Sequence, residues 1–149
     1  MVDYSRGSIA VAHNGNIVNA QLIKDELEAW GSIFQTTMDT EIIIHLLAMS
    51  KASSLLDRIT ESLFRMEGAY CLLFLTETQM VAVRDPNRFR PLSLGKRGGA
   101  YVVASETCAL DLIEATFIRE IEPGEVVHID ENGINSHFPF KKAQPTPCI

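Results

Sequence analysis

An α+β fold, with antiparallel sheets and helices packed on them, is predicted for this 149-residue chain by three observations. Segments of helical periodicity cluster between residues 19 and 66, short apolar segments of strand character follow one another from residue 69, and turn signals separate those strands as in a meander. The first segment, residues 8–13, reads as a strand. The Asn14-Gly15 pair after it usually marks a two-residue hairpin, but no second alternating segment comes next. Residues 19–30 instead place Leu22, Ile23, Leu27 and Trp30 at roughly helical spacing, with Asn19 available as an N-cap and Gly31 as a stop. His13-Asn14-Gly15-Asn16 is therefore expected to form a strand-to-helix loop. Residues 40–51, behind an Asp39 able to cap them, and residues 55–66 read as two more helices. Strands are expected over residues 69–76, 80–84, 91–96 and 100–104, with turns at Glu77-Thr78, Asp85-Pro86-Asn87 and Gly98-Gly99. A short helix over residues 106–113 behind a Ser105 cap, then strands over 125–129 and 134–138 joined at Glu131-Asn132-Gly133, complete the order.

Composition narrows the function classes. At 46% hydrophobic and 21% charged, the chain suits one ordinary core and is expected to be a single soluble domain. A formal charge of −6, with no basic cluster beyond Lys96-Arg97 and Lys141-Lys142, argues against nucleic acid or an anionic membrane as a partner. The longest apolar stretch, residues 42–49, is broken by His45 and is too short to span a bilayer. The start Met1-Val2-Asp3-Tyr4-Ser5-Arg6 has no signal-peptide character, so a cytoplasmic location is expected. Cys71, Cys108 and Cys148 are odd in number and show no metal-ligand or redox spacing, which suits a reducing compartment. Residues 141–149, with Pro145 and Pro147, read as the start of a linker. The first expected strand has nothing upstream to complete its sheet and the chain stops just past this linker, so a fragment with a truncated N-terminal side is expected.

Several runs occur in order along nearly the whole chain: Gly7-Ser8-Ile9-Ala10-Val11-Ala12-His13-Asn14-Gly15-Asn16-Ile17-Val18-Asn19, Phe34-Gln35-Thr36-Thr37-Met38-Asp39-Thr40-Glu41, Arg84-Asp85-Pro86 with Arg90-Pro91-Leu92, Ser105-Glu106-Thr107-Cys108-Ala109-Leu110, and Glu122-Pro123-Gly124-Glu125. Together they resemble the glutaminase domain of the amidophosphoribosyltransferase family, one of the N-terminal-nucleophile (class II) glutamine amidotransferases. The resemblance implies an αββα sandwich of the N-terminal-nucleophile hydrolase type. It makes residues 1–140 a partial glutamine amidotransferase type-2 domain and residues 141–149 the start of a linker to a phosphoribosyltransferase domain.

Hydrolysis of the glutamine amide requires a nucleophile, donors for a tetrahedral oxyanion, and groups that recognise the amino-acid end. By the resemblance, the nucleophile is a Cys at the mature N-terminus with its own α-amine as base, and the Asn14 side-chain amide and Gly15 N–H form the oxyanion hole. One such donor contributes about 3–4 kcal/mol of transition-state stabilisation in other enzymes. Asp39 is similarly matched to the carboxylate that binds the substrate α-ammonium, a charge-assisted contact. Read from the residues alone, Asn14-Gly15 is plain turn chemistry and Asp39 a plain N-cap, and the two roles of Asp39 are compatible. His13 and His45 read as packed histidines and take no role. Cys71 reads as a buried small hydrophobe. Cys108, at the start of a short helix, has the reactive thiol as its minority reading. Arg84, Asp85 and Arg90 read either as an ion-pair network beneath the glutamine site or as ordinary strand-end pairing. The resemblance places Cys148 where some family members hold one ligand of a 4Fe-4S cluster, with the other ligands beyond Ile149. It implies no cofactor in this chain, and Mg2+ and that cluster only in a full-length parent.

The N-terminal Cys, its Gly-rich strand, the Arg segment that grips the glutamine carboxylate and the phosphoribosyltransferase half have no counterpart in these residues, and the Met1 thioether is no substitute for a thiol. The chain is thus expected to be a catalytically incomplete piece. Its parent, by the resemblance, hydrolyses glutamine, transfers the ammonia to phosphoribosyl pyrophosphate to give 5-phosphoribosylamine in the first step of de novo purine biosynthesis, and assembles as a homo-oligomer. Two alternatives stand beside this reading: a non-catalytic glutaminase-like module that binds glutamine or docks on a partner, and the glutaminase domain of another class II enzyme such as the glucosamine-6-phosphate synthase type.

Overall fold

The computed structural model describes residues 1–4, 6–87 and 90–140, so Cys148 and the linker expected over residues 141–149 lie outside the described residues. The elements in chain order are β1 (Val2–Tyr4), β2 (Gly7–Ile17), α1 (Ala20–Ala29), α2 (Asp39–Met49), α3 (Leu55–Leu63), β3 (Gly68–Leu75), β4 (Met80–Arg84), β5 (Ser93–Arg97), β6 (Ala100–Ala104), α4 (Thr107–Leu112), β7 (Thr116–Glu120), β8 (Val126–Asp130) and β9 (Gly133–His137). They build a six-stranded sheet in the order β1-β2-β3-β4-β8-β9 and a three-stranded sheet in the order β6-β5-β7. Neighbouring strands are antiparallel throughout. The chain leaves the first sheet after β4, builds the whole second sheet and α4, and returns at β8.

The period of two along a strand sorts the side chains into layers. Tyr70, Leu72 and Phe74 of β3 and Val81 and Val83 of β4 join the core formed with α1, α2 and α3, through residues such as Leu27, Ile43 and Ile59. The alternate positions Cys71, Ala82 and Val127 face the other way and meet Leu92, Leu94 and Ile121 of the second sheet and its flanks. On the far face of that sheet Leu110 of α4 fills the space above Gly95, where an added Cβ would stand 3.0 Å from its methyls. The sequence of layers is α, β, β, α, and no helix among the described residues is long and apolar enough to cross a membrane.

Several local expectations need correction. The Asn14-Gly15 segment is no loop, because β2 runs on to Ile17 and pairs with β3 over that whole stretch. The strand at residue 8 has a partner upstream, since β1 pairs Val2 with Ile9 and Asp3 with Ser8. β7 was not anticipated at all; it pairs with β5 and leaves Phe117 and Ile118 about half exposed. Asn19 stands at the N-cap of α1 without capping it, and its amide instead donates to Arg65 O at 2.8 Å and accepts from Glu67 N at 2.9 Å. Ser105 is no cap either, since Glu106 holds that position and makes no side-chain capping bond. Ser54 does cap α3, accepting from Asp57 N at 3.1 Å.

Candidate functional site

The candidate residues converge on the outer edge of β2. Gly15, paired with Tyr70, adopts φ +134°, and Gly68, paired with Ile17 two residues further along the same seam, adopts the same value. A Cβ at Gly15 would stand 2.0 Å from Ala69 O, and one at Gly68 would stand 2.2 Å from Asn16 O. Only a pair of glycines lets the two backbones approach so closely in this mirror-extended conformation, which is why a dipeptide typical of turns continues as strand here.

The direction of the Gly15 N–H follows from the ladder. Tyr70, its partner on β3, accepts a bond from Asp85 N at 2.9 Å and so turns its backbone groups towards β4. In antiparallel pairing the residue across from such a position turns its own groups away from the shared seam, so Gly15 presents its N–H at the outer side of β2. Two residues on, Ile17 repeats this orientation, and its N–H meets Asp39 Oδ2 at 3.3 Å. β1 pairs only with residues 7–9 of β2, so it does not cover this stretch of edge. Asn14 and Asn16 are exposed beside it.

Asp39 is the first residue of α2 and follows a Met38 that makes no side-chain cap. The plain N-cap reading of Asp39 is therefore corrected, because Met38 holds the N-cap position and the Asp39 carboxylate lies against β2. Glu41, in the same first turn, reaches back to the segment before the helix. Its Oε1 accepts from Gln35 N at 2.7 Å, and its Oε2 accepts from Thr36 N at 2.7 Å and from the Thr36 hydroxyl at 2.5 Å. His45 Nε2 stands 3.8 Å from Glu41 Oε1, and its ring packs at 4.4 Å on Phe34. Burial alone would push the Glu41 carboxyl up, but the Thr36 and Gln35 donors and His45 outweigh it and hold it below the usual range. Sequence reasoning gave Glu41 no role, although an acid at the third helical position is a recognisable sign of a helix start.

His13 precedes Asn14 on the same strand. Its Nε2 is buried without a partner, and burial pushes the imidazole below its ordinary pKa while the Asp39 carboxylate pulls it part of the way back. A neutral, packed histidine matches the reading given to it.

Of the two readings of Arg84, Asp85 and Arg90, the ion-pair network is not seen among the described residues. Arg84 instead donates to two backbone carbonyls, Nε to Arg90 O at 2.8 Å and Nη1 to Ile121 O at 2.6 Å, with Glu120 at 3.8 Å. Asp85 accepts from Asn87 N at 2.8 Å through Oδ2, and its Oδ1 has no partner. Cys71 is buried, with Sγ 3.8 Å from the carbonyls of Arg90 and Pro91, and burial followed by the field of Asp85 pushes its thiol up to about 11. Cys108 is exposed, and the adjacent Glu106, 3.2 Å from its sulfur, raises its pKa. This corrects the idea of an activated thiol, since a neighbouring carboxylate opposes thiolate formation. A cleft of about 680 Å³ opens between α1, α2 and α3, lined by Trp30, Met49, Glu61 and Arg65 among others. It lies at the C-terminal end of α2, about 15 Å along the helix from Asp39, and takes in none of the candidate residues.

Comparison with known proteins bears on this edge. Residues 1–112 match the family described as the glutamine amidotransferase domain. The chain is 52% identical over 147 residues to amidophosphoribosyltransferase 1, chloroplastic, of Arabidopsis thaliana, covering 98% of this chain and 26% of that protein. It is 53% identical over 132 residues to the amidophosphoribosyltransferase of Bacillus subtilis strain 168, covering 89% and 28%. Among solved structures, the glutamine phosphoribosylpyrophosphate amidotransferase of B. subtilis complexed with ADP and GMP superposes with a TM-score of 0.88 at 51% identity, over 91% of this chain and 30% of that one. The chain thus spans little more than a quarter of the curated relatives it matches. With the family match running unbroken from β1 through α4 and so taking in the whole β2 edge and Asp39, the chain belongs to the glutamine amidotransferase domain family.

Proposed function

We propose that this chain supplies the oxyanion-stabilising and ammonium-binding side of a glutamine-hydrolysing site, in a protein that passes the released ammonia to phosphoribosyl pyrophosphate and forms 5-phosphoribosylamine, the first step of de novo purine synthesis. The observation that carries this reading is the β2 edge, where the Gly15 N–H faces outward and Asp39 is held two residues further on. That separation is about 7 Å along the strand, within reach of one extended glutamine. Attack on the amide carbon moves the carbonyl electron pair onto oxygen, and the Gly15 N–H and Asn14 amide stabilise that charge where it develops. Asp39 takes the α-ammonium at the other end. Collapse of the intermediate then releases ammonia and leaves an acyl-enzyme for water to hydrolyse.

Neither Cys71 nor Cys108 is suited to the attack, which this reading gives to the N-terminal Cys that the family resemblance implies. The partners of this reading are glutamine, a phosphoribosyltransferase domain and further copies of the same protein, with Mg2+ and a 4Fe-4S cluster proposed for that larger assembly. The acidic, cysteine-poor composition supports a cytoplasmic location, while relatives in Arabidopsis carry chloroplastic names.

Glutaminase kinetics of the full-length protein test the assignment. Asn14→Ala should lower kcat by about 100-fold or more with little change in KM, because the donor acts in the transition state. Asp39→Asn should raise the KM for glutamine by about tenfold or more through loss of a charge-assisted contact. An unchanged KM in Asp39→Asn, or equal losses in Asn14→Ala, would remove the respective role.

A further inference from the structure

Between Phe34 and α2, Gln35, Thr36, Thr37 and Met38 are all exposed, so core packing does not fix the segment that delivers Asp39 to β2. Its order comes from one side chain. Glu41 receives two backbone N–H groups and a hydroxyl from this segment, and Thr36 Oγ1 in turn accepts from Met38 N at 3.2 Å. A serine, threonine or aspartate at the N-cap would ordinarily satisfy the free N–H groups of a helix start. Met38 has no such atom, and Asp39, the nearest acid, is turned to Ile17 N instead. The donors that Glu41 receives lie ahead of the helix, in residues 35 and 36, so what Glu41 fixes is the shape of the segment that leads to Asp39, while Asp39 itself faces β2.

We propose that Glu41, acting through Thr36, is the positioning residue that aims the Asp39 carboxylate at the α-ammonium of glutamine. The proposal rests on the reading of Asp39 given above. Glu41 touches no substrate; its anion folds the 35–38 segment into one shape, and that shape sets where the first turn of α2 meets β2. Charge-assisted bonds of this length are short enough to be strong, and three converge on one carboxylate that is 18% exposed. His45, packed on Phe34, closes the other side of that carboxylate and limits where it can turn.

The test is a kinetic split in the full-length protein. Glu41→Ala should raise the glutamine KM by about tenfold, because a charge contact left mis-aimed forfeits most of its strength, while kcat stays within about twofold. Thr36→Val should move KM in the same direction by less, and Thr36→Ser, which keeps the hydroxyl, should restore it. A role confined to stability would lower the melting temperature and leave KM untouched. If Asp39→Asn raises KM but Glu41→Ala and Thr36→Val do not, this inference falls and the Asp39 assignment stands. If Asp39→Asn itself leaves KM unchanged, the underlying reading falls. Should Glu41→Ala fail to fold, the Thr36→Val and Thr36→Ser pair decides alone.

Discussion

Asp85 and Glu125 stand at the two ends of the excursion that carries the chain from β4 through the second sheet and back to β8, and both are almost wholly buried, at 0% and 1% exposure. Glu125 accepts the two-pronged Arg119 guanidinium at 2.8 and 2.6 Å, Glu122 N at 2.8 Å and the Ser136 hydroxyl at 2.6 Å. Asp85 accepts from Asn87 N through one oxygen and leaves the other without a partner. Burial pushes both carboxyls up. At Glu125 the donors outweigh it and hold the group below its ordinary value, whereas at Asp85 they do not and the group stays raised. The difference teaches that the number and geometry of donors, more than depth, decides whether a buried carboxylate is held as an anion.

The largest way to break this contrast is to remove the satisfied anion. Glu125→Ala strands Arg119 and Ser136 and should cost about 3–5 kcal/mol in urea unfolding, at the lower end because Arg119 still reaches water. Asp85→Asn, which removes a poorly satisfied charge, should change stability by less than about 1 kcal/mol in either direction. Equal losses from the two variants would mean that their surroundings are equivalent after all.

Acid titration sharpens the comparison with a smaller signal. The lowered pKa of Glu125 makes its contribution present above the ordinary 4.5 and lost as pH falls through the folded value. Asp85 has the opposite sign: its contribution is fully present below 3.8 and is lost as pH rises through its raised folded value. Stability measured across this acid range should therefore fall more steeply with acid in Asp85→Asn and less steeply in Glu125→Gln. The smallest expected effect is on Cys71, whose thiol is raised first by burial and then by Asp85. With Cys108 and Cys148 replaced by serine, alkylation of Cys71 should begin at a slightly lower pH in Asp85→Asn, and coincident profiles would show that burial alone sets it.

The helices and most of the strands were readable in the sequence because each carries its period locally, and Asn14, Gly15 and Asp39 could be singled out as candidates because they lie in contiguous motifs. What escaped depends on partners distant in the chain. β2 extends through Asn14-Gly15 because residues 68–75 of β3 pair along it, with Gly15 fitting against Ala69 and Tyr70, and nothing near residue 15 announces that. β7 has no alternation, with Phe117 and Ile118 both exposed, and exists by virtue of pairing with β5. Asn19 passes up its own helix for Arg65 and Glu67, which the pairing of Ile17 with Gly68 at the end of the β2–β3 ladder brings beside it. Glu41 lies in the same run as Asp39, but its hold on Gln35 and Thr36 depends on how the segment before α2 folds back over the first turn.

Arg84 joins the two sheets by donating to carbonyl oxygens, at Arg90 and Ile121, rather than to an acidic side chain. Every residue type carries such an oxygen. The fastening is therefore indifferent to which amino acids occupy its receiving positions and wholly dependent on the one that gives. Side-chain changes at positions 90 and 121 leave the receiving oxygens of this contact in place, whereas a change at position 84 removes the donor.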